Sequence, residues 1–273
     1  MSRRRARPAE LHSVFERTFH EHRRALVGWL AGLMGLAVVM LALYPTVKGN
    51  EAITKLIESY PETFRKLFAV ADYTTGAGYL RAEIFSFMAP LLVVIMAVLW
   101  GGDVVAGEEE RGTIDVLLAN PVSRRRVVME KWAAMMLGVV VVMAGLGAAL
   151  GVGAQIVGLH VGWDALTSVV LATTLLAALY ATVALALGAA TGRRGLARGV
   201  STLLAVAAYL VSSLAEIVRW LRPVRPLSPW YHALGVDPLA SGFLPVHLLV
   251  LAGITVVLVA GAVVAYERRD LAV

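Results

Sequence analysis

Six stretches of this chain contain no Asp, Glu, Lys or Arg: residues 25–47, 84–102, 132–163, 165–192, 199–215 and 238–266. Each is bounded by charge. A hydrocarbon core about 30 Å thick is crossed by roughly 20 helical residues at about 1.5 Å each, so each run has the size of a membrane span. The short fifth run reaches that size by continuing past Glu216 and Arg219 to Trp220. None alternates with the period of two that a transmembrane β-strand requires. With 59% hydrophobic side chains and a mean hydropathy of +0.74, the chain holds too little polar surface to coat a water-soluble core. The expectation is an all-α membrane protein, a single domain over residues 1–273. Its six spans fall at about 25–45, 84–104, 132–153, 166–190, 199–220 and 246–266.

Charge sets the orientation. With a cytoplasmic N-terminus, the N-terminal arm, the 103–131 loop, the 192–198 loop and the tail hold 17 of the 25 Lys and Arg, while the other side holds 8, balanced by 8 Asp and Glu. Basic residues favour the cytoplasmic side, so both termini are expected inside, consistent with an even number of spans. Arg219, Arg222 and Arg225 run against this bias. Membrane lipids, through anionic headgroups, account for the basic balance without nucleic acid as a partner. The chain has no cysteine, which excludes disulfides and thiolate metal sites. Arg3, Arg4 and Arg5 resemble the start of a signal peptide, but the apolar stretch begins only at Ala25 and no small-x-small cleavage site follows. An uncleaved first span is expected.

Amphipathic segments flank the spans. Leu11, Val14, Phe15, Thr18, Phe19 and His22 share one helical face of an arm at about 8–24, which is expected to lie in the inner interface, with an ordinary soluble helix as the alternative. In the 45–83 connection, Ile53, Leu56, Ile57 and Tyr60 form one stripe. Pro61 restarts the chain, and Phe64, Leu67 and Phe68 form a second, so two short external helices are expected. They could shape an exit path, bind a partner or simply cap the bundle. Pro223, Pro226, Pro229 and Pro238 forbid a continuous helix before the last span, and the neighbouring Trp230 and Tyr231 suit short interfacial or re-entrant segments. Gly147 and Gly151 allow a close helix approach in the third span.

Catalytic signatures are missing. There is no G-x-x-x-x-G-K-[ST] phosphate loop, no H-E-x-x-H and no G-x-S-x-G elbow. His20 and His22 are too close in sequence to ligate from one helical face, and His160 and His247 each stand alone near span ends. No metal site and no cofactor bound by this chain are expected. Glu216 and Arg219 are spaced to pair on one helix face. As charges in a span they are candidates for a substrate or gating role. Spans so poor in ionisable groups argue against proton coupling or an ion-selective pore and favour movement of something amphipathic or lipophilic by conformational change powered elsewhere.

A dense charge cluster, EEERGTIDVLLANPVSRRR at 108–126, lies in the loop between spans two and three. Gly112 breaks the preceding helix, Thr113 can cap a new one, and Asp115 suits its positive end. Ile114, Leu117 and Leu118 then share a face, and Pro121 closes the helix. Ser123 can cap the next, which carries Arg124, Arg125, Arg126 and Lys131 into span three. Glu108, Glu109 and Glu110 form an acidic cluster on the other side. The residues alone leave two readings open: a solvated loop with a buried apolar face, or a docking element for a soluble partner.

This segment resembles the signature of ABC type-2 exporter permeases, in which a glutamate precedes G-T-x-x-x-L-L-x-x-P-x-S-R and a lysine opens the next span. Glu109, Gly112, Thr113, Leu117, Leu118, Pro121, Ser123, Arg124 and Lys131 fall on it. The basic arm, SPWYHALGVDPLASG before the last span and the closing ERRDL extend the resemblance across the chain. It implies a transmembrane subunit that pairs with a second permease copy or a paralogue and recruits two ABC ATPase subunits, which carry ATP and Mg. It also implies that the loop is a coupling helix. Ile114, Leu117 and Leu118 would dock, with Glu108 to Glu110 and Arg124 to Arg126 setting charge complementarity. Hydrolysis is expected in a separate chain, and the setting in a prokaryotic cytoplasmic membrane. A non-transporting anchor or regulatory platform for a soluble ATPase complex is the alternative. It would dock the same partner but move no cargo. An intramembrane enzyme would need a catalytic constellation of the kind missing from these motifs.

Overall fold

The computed structural model describes residues 13–67, 73–112 and 123–269. Among them there is no strand, and six helical segments are long and apolar enough to cross a membrane. The first is α1, Val14–Val47, a single helix of 34 residues. At about 1.5 Å per residue it runs about 51 Å, which exceeds the hydrocarbon thickness and leaves its charged first turns beyond the lipid. The arm expected to lie flat is thus continuous with the span from Val14 onward. Its buried residues include Val14, packed with Val127, and Thr18. Ser13 caps the helix by accepting from the Glu16 amide.

Two short helices follow, α2 (Glu51–Ser59) and α3 (Glu62–Leu67), in the connection where two apolar stripes were read. Phe68, the last residue of the second stripe, lies outside the described residues. The second span begins as α4 (Gly76–Leu80), passes through a π-helical turn at Arg81–Phe85 and continues as α5 (Met88–Asp103). A short α6 (Ala106–Glu110) turns away beyond it. The third and fourth spans are α7 (Arg124–Ile156) and α8 (Trp163–Thr191). The fifth, α9, covers Arg194–Leu214 and stops six residues short of Trp220. Beyond it, Arg219–Leu227 winds as a 3-10 helix containing Pro223 and Pro226. Proline has no amide hydrogen to donate, so this stretch cannot prolong an α-helix. A π turn at Tyr231–Gly235 and the short α10 (Pro238–Ser241) lead to the last span, α11 (Pro245–Arg268).

Helix α8 is the centre of the bundle and packs against α5, α7, α9 and α11. Ala177, Ala181 and Leu185 on α8 join Val93 and Ala97 of α5 and Val139 and Leu146 of α7 in one core. Small residues set the spacing. A Cβ at Gly101 would run into the Ala181 carbonyl, and one at Gly151 would run into the Trp163 ring. On the other face of α7, Gly138, Gly145 and Gly153 receive Leu26, Leu30 and Leu41 of α1. Without a hydrophobic drive between helices in lipid, such close packing and hydrogen bonds between helices hold a bundle together. One such bond joins Trp132 Nε1 to Thr182 Oγ1 at 3.0 Å.

Candidate functional site

Alternation of the spans collects the polar residues at two ends. One end, the charged end, gathers the C-termini of α5, α8 and α11 with the N-termini of α7 and α9. The last carbonyls of a helix have no partner within it and lie at its negative pole. Here cations meet them. Lys131 Nζ donates to the Val104 carbonyl at 2.6 Å. Arg269 donates to the Ala189 carbonyl at 2.8 Å, and Arg124 donates to the Arg269 carbonyl at 2.6 Å and that of Tyr266 at 3.4 Å. Arg198 donates to the Leu99 carbonyl, about a turn inside α5, at 2.8 Å. Part of the basic bias at this end therefore closes helix ends.

The acidic cluster is tied into the same frame. Glu108 pairs with Lys131 at 2.5 Å, with the two side chains 11% and 1% exposed. Glu109 pairs with Arg269. Glu110, exposed, accepts from the Arg194 amide at 2.8 Å. Asp103, at the end of α5, faces Arg111 at 3.2 Å, Arg194 at 3.1 Å, Arg198 at 3.8 Å and His22 at 3.9 Å. Glu108 and Glu109, expected to complement the charge of a partner, are thus held by contacts within the chain, while Glu110 stays exposed. Ser123 caps α7 by accepting from the Arg126 amide. Arg125 and Arg126 are exposed, and Arg126 pairs with Glu130 four residues on at 2.6 Å. Gly112 adopts a left-handed φ of 67°, which glycine takes without steric cost, and so ends α6 as expected. Thr113, Ile114, Leu117, Leu118 and Pro121 lie outside the described residues.

At the opposite end, the pairing expected within one helix is replaced by a longer-range one. Glu216 lies past the end of α9 and accepts from Arg225 at 2.7 Å. Arg219 is exposed at the start of the 3-10 segment. Arg81, on the π turn of the second span, binds Asp237 at 2.7 Å. Asp237 has a φ of 50°, a left-handed geometry that aspartate tolerates better than most residues. These two ion pairs line one partly open cavity of about 90 Å³, together with Ser86, Tyr209, Ser212, Ser213 and Trp230. Trp230 is buried and donates through Nε1 to the Ala205 carbonyl at 3.0 Å, which stitches the loop to α9.

His247 is not alone. Its Nδ1 lies 2.9 Å from Nδ1 of His232, whose Nε2 is 2.7 Å from the Pro226 carbonyl. A carbonyl only accepts, so Nε2 of His232 carries a hydrogen and, in the neutral pair, its Nδ1 accepts from His247. Beside α4, Tyr73 donates to Glu83. Burial first, and that bond second, push the Tyr73 phenol above its usual range. Among the described residues no group of three or more potential ligands could hold a metal.

Several of these residues escaped the sequence reading: Asp103, Arg198 and Arg269 at the charged end, Arg81, Arg225 and Asp237 at the other. For three of them the signal is position. Asp103, Arg198 and Asp237 each border an uncharged run directly, where a polar side chain can reach both the end of its own span and neighbouring ones. A family model described as ABC-2 family transporter protein matches residues 12–271. A comparison with curated proteins gave no significant match. The family match runs through all six spans and both polar ends, and the chain belongs to the ABC-2 transporter family, whose members are membrane permeases of ABC transporters.

Proposed function

We propose that this permease subunit, which is not itself catalytic, works in an exporter driven by two separate ABC ATPase subunits docked on residues 108–126. ATP and Mg reside in those subunits. The charged end faces the cytoplasm of a prokaryotic cell, both termini lie inside, and a second permease copy or a paralogue completes the transmembrane pathway. An amphipathic or lipophilic cargo suits spans without charge.

The observation that carries this reading is how the docking segment is anchored. At its start, Glu108 and Glu109 are bound to Lys131 and Arg269. Near its end Arg124, and beyond it Lys131, are bound to the carbonyls that end α11 and α5. A push on the segment from a closing ATPase dimer would therefore load the ends of several spans together, as a two-state bundle requires. Ile114, Leu117 and Leu118 supply the docking face in this reading, while the exposed Glu110, Arg125 and Arg126 supply charge at its rim. Charge at a rim sets orientation and rate more than affinity.

Co-purification from native membranes and reconstitution test it. The ATPase should copurify at two copies per complex, and Leu117→Asp should abolish its recovery by placing a charge in the apolar contact. In vesicles, fluorescent amphiphiles should cross in an ATP-dependent way that disappears when ATPase catalysis is blocked. Assembly without any such movement across a broad panel would replace the exporter with an anchoring platform.

A further inference from the structure

We infer that the cavity at the end opposite the charged one is a binding site for a zwitterionic headgroup, one ammonium and one anionic oxygen, carried by an amphiphile. This goes beyond the transport reading and does not depend on it. The wall carries two guanidiniums, Arg81 and Arg225, and two carboxylates, Glu216 and Asp237. Each ion pair is a single contact, one nitrogen to one oxygen at 2.7 Å, whereas a guanidinium has five donors and a carboxylate several acceptor positions. Valence is left over on both signs. Arg225 Nε is shielded from solvent and has no hydrogen-bond partner among the described residues.

Electroneutrality selects the ligand class. A lone anion or cation would leave a net charge in a partly desolvated space, which is costly. A zwitterion can accept from the guanidinium N–H groups of Arg81 and Arg225 that the two ion pairs leave over, and from the hydroxyls of Ser212 and Ser213, while its ammonium faces a carboxylate. Gly235 keeps that space open, since a Cβ there would stand 3.4 Å from Arg225 Nη2, 3.5 Å from Ser212 Oγ and 3.0 Å from Tyr231. Apolar surface adjoins the cavity for the rest of an amphiphile. Phe87, exposed, packs on Tyr209 of the wall at 5.6 Å, and Leu214 and Ile217 are exposed beside Glu216. A cavity of about 90 Å³ has room for several waters or a compact polar group.

Calorimetric titration of the purified chain in an uncharged maltoside detergent tests the inference. The probes are dihexanoyl phosphatidylethanolamine, its phosphatidylglycerol counterpart, glycerophosphoethanolamine and inorganic phosphate. The phosphatidylethanolamine should bind about tenfold or more tightly than the phosphatidylglycerol. Arg225→Lys, which keeps the charge but loses the fork, and Gly235→Ala should each weaken it by about tenfold. Arg222→Lys, on an exposed position outside the cavity, should change nothing. If the chains are needed, the ligand is a lipid as inferred; if glycerophosphoethanolamine binds as well as the lipid, the amphiphile part of the inference is overturned and the zwitterion is a soluble one. Equal binding of phosphatidylglycerol or phosphate overturns the inference. So does an unchanged affinity in Gly235→Ala, whose fold is checked by thermal unfolding in case Arg225→Lys is unstable.

Discussion

Lys131 is 1% exposed, yet it stands among apolar helices with its ammonium bound to Glu108 and the Val104 carbonyl. Removing one member of such a pair strands the other in a medium that solvates it poorly, at a cost of about 3–5 kcal/mol, whereas replacing both by apolar groups costs much less. Lys131→Met and Glu108→Gln should thus each lower the thermal unfolding midpoint in detergent strongly. The joint Lys131→Met, Glu108→Leu variant should recover a large part of the loss. The Arg126–Glu130 pair offers the contrast, because Arg126 is 65% exposed and an exposed pair four apart on a helix contributes only about 0.5 kcal/mol or less. Arg126→Ala should leave the midpoint nearly unchanged. An equal loss in Arg126→Ala and Lys131→Met would mean that burial does not govern these pairs.

Glycine acts on helices in two opposite ways here, according to what lies over it. Alanine is better than glycine by about 1 kcal/mol in a helix interior, so an open glycine should respond favourably to replacement. Gly28 on α1 has nothing within 4 Å of a built Cβ, and Gly28→Ala should raise the unfolding midpoint of the detergent-solubilised monomer. At Gly151 the Cβ would meet the Trp163 ring, and overpacking of about 1–3 kcal/mol should outweigh the gain, so Gly151→Ala should lower it. The same distinction marks what could be read from the sequence. The six spans were legible because lipid tolerates few charges and each uncharged run records its own environment. The packing role of Gly147 and Gly151 was legible from spacing, and Gly151 does meet α8. The end of α9 was not, because the residues after Leu214 are apolar enough to continue a helix until Pro223 prevents it. Nor were the pairings: Glu216 meets Arg225 instead of Arg219, and His247 meets His232, since loops crossing the bundle end choose partners that local periodicity cannot reveal. Five of the proposed docking residues, Thr113, Ile114, Leu117, Leu118 and Pro121, stand on the family resemblance and helical spacing alone.

The molecule as a whole is polarised, with arginine and lysine closing helix C-termini at one end and two balanced ion pairs around a cavity at the other. Both facts bear on orientation. Translocating loops rich in Lys and Arg is disfavoured, so the end with most of the basic residues should remain cytoplasmic, and the contacts to helix ends give those cations a place to be neutralised once there. The sequence segments expected on the other side hold 8 basic and 8 acidic residues, and a balanced segment crosses with less resistance than a basic one. The absence of cysteine makes this directly measurable with single introduced thiols. Leu227 is 80% exposed at the cavity end, and Arg125 is exposed at the charged end. In intact cells Leu227→Cys should react with a membrane-impermeant maleimide, whereas Arg125→Cys should react only after the membrane is opened. The reverse pattern would place the docking segment outside, away from any ATP, and the exporter proposal would fall with it. Labelling of both in intact cells would mean that the chain inserts in two orientations, and the charge difference between its ends would then be too small to direct assembly.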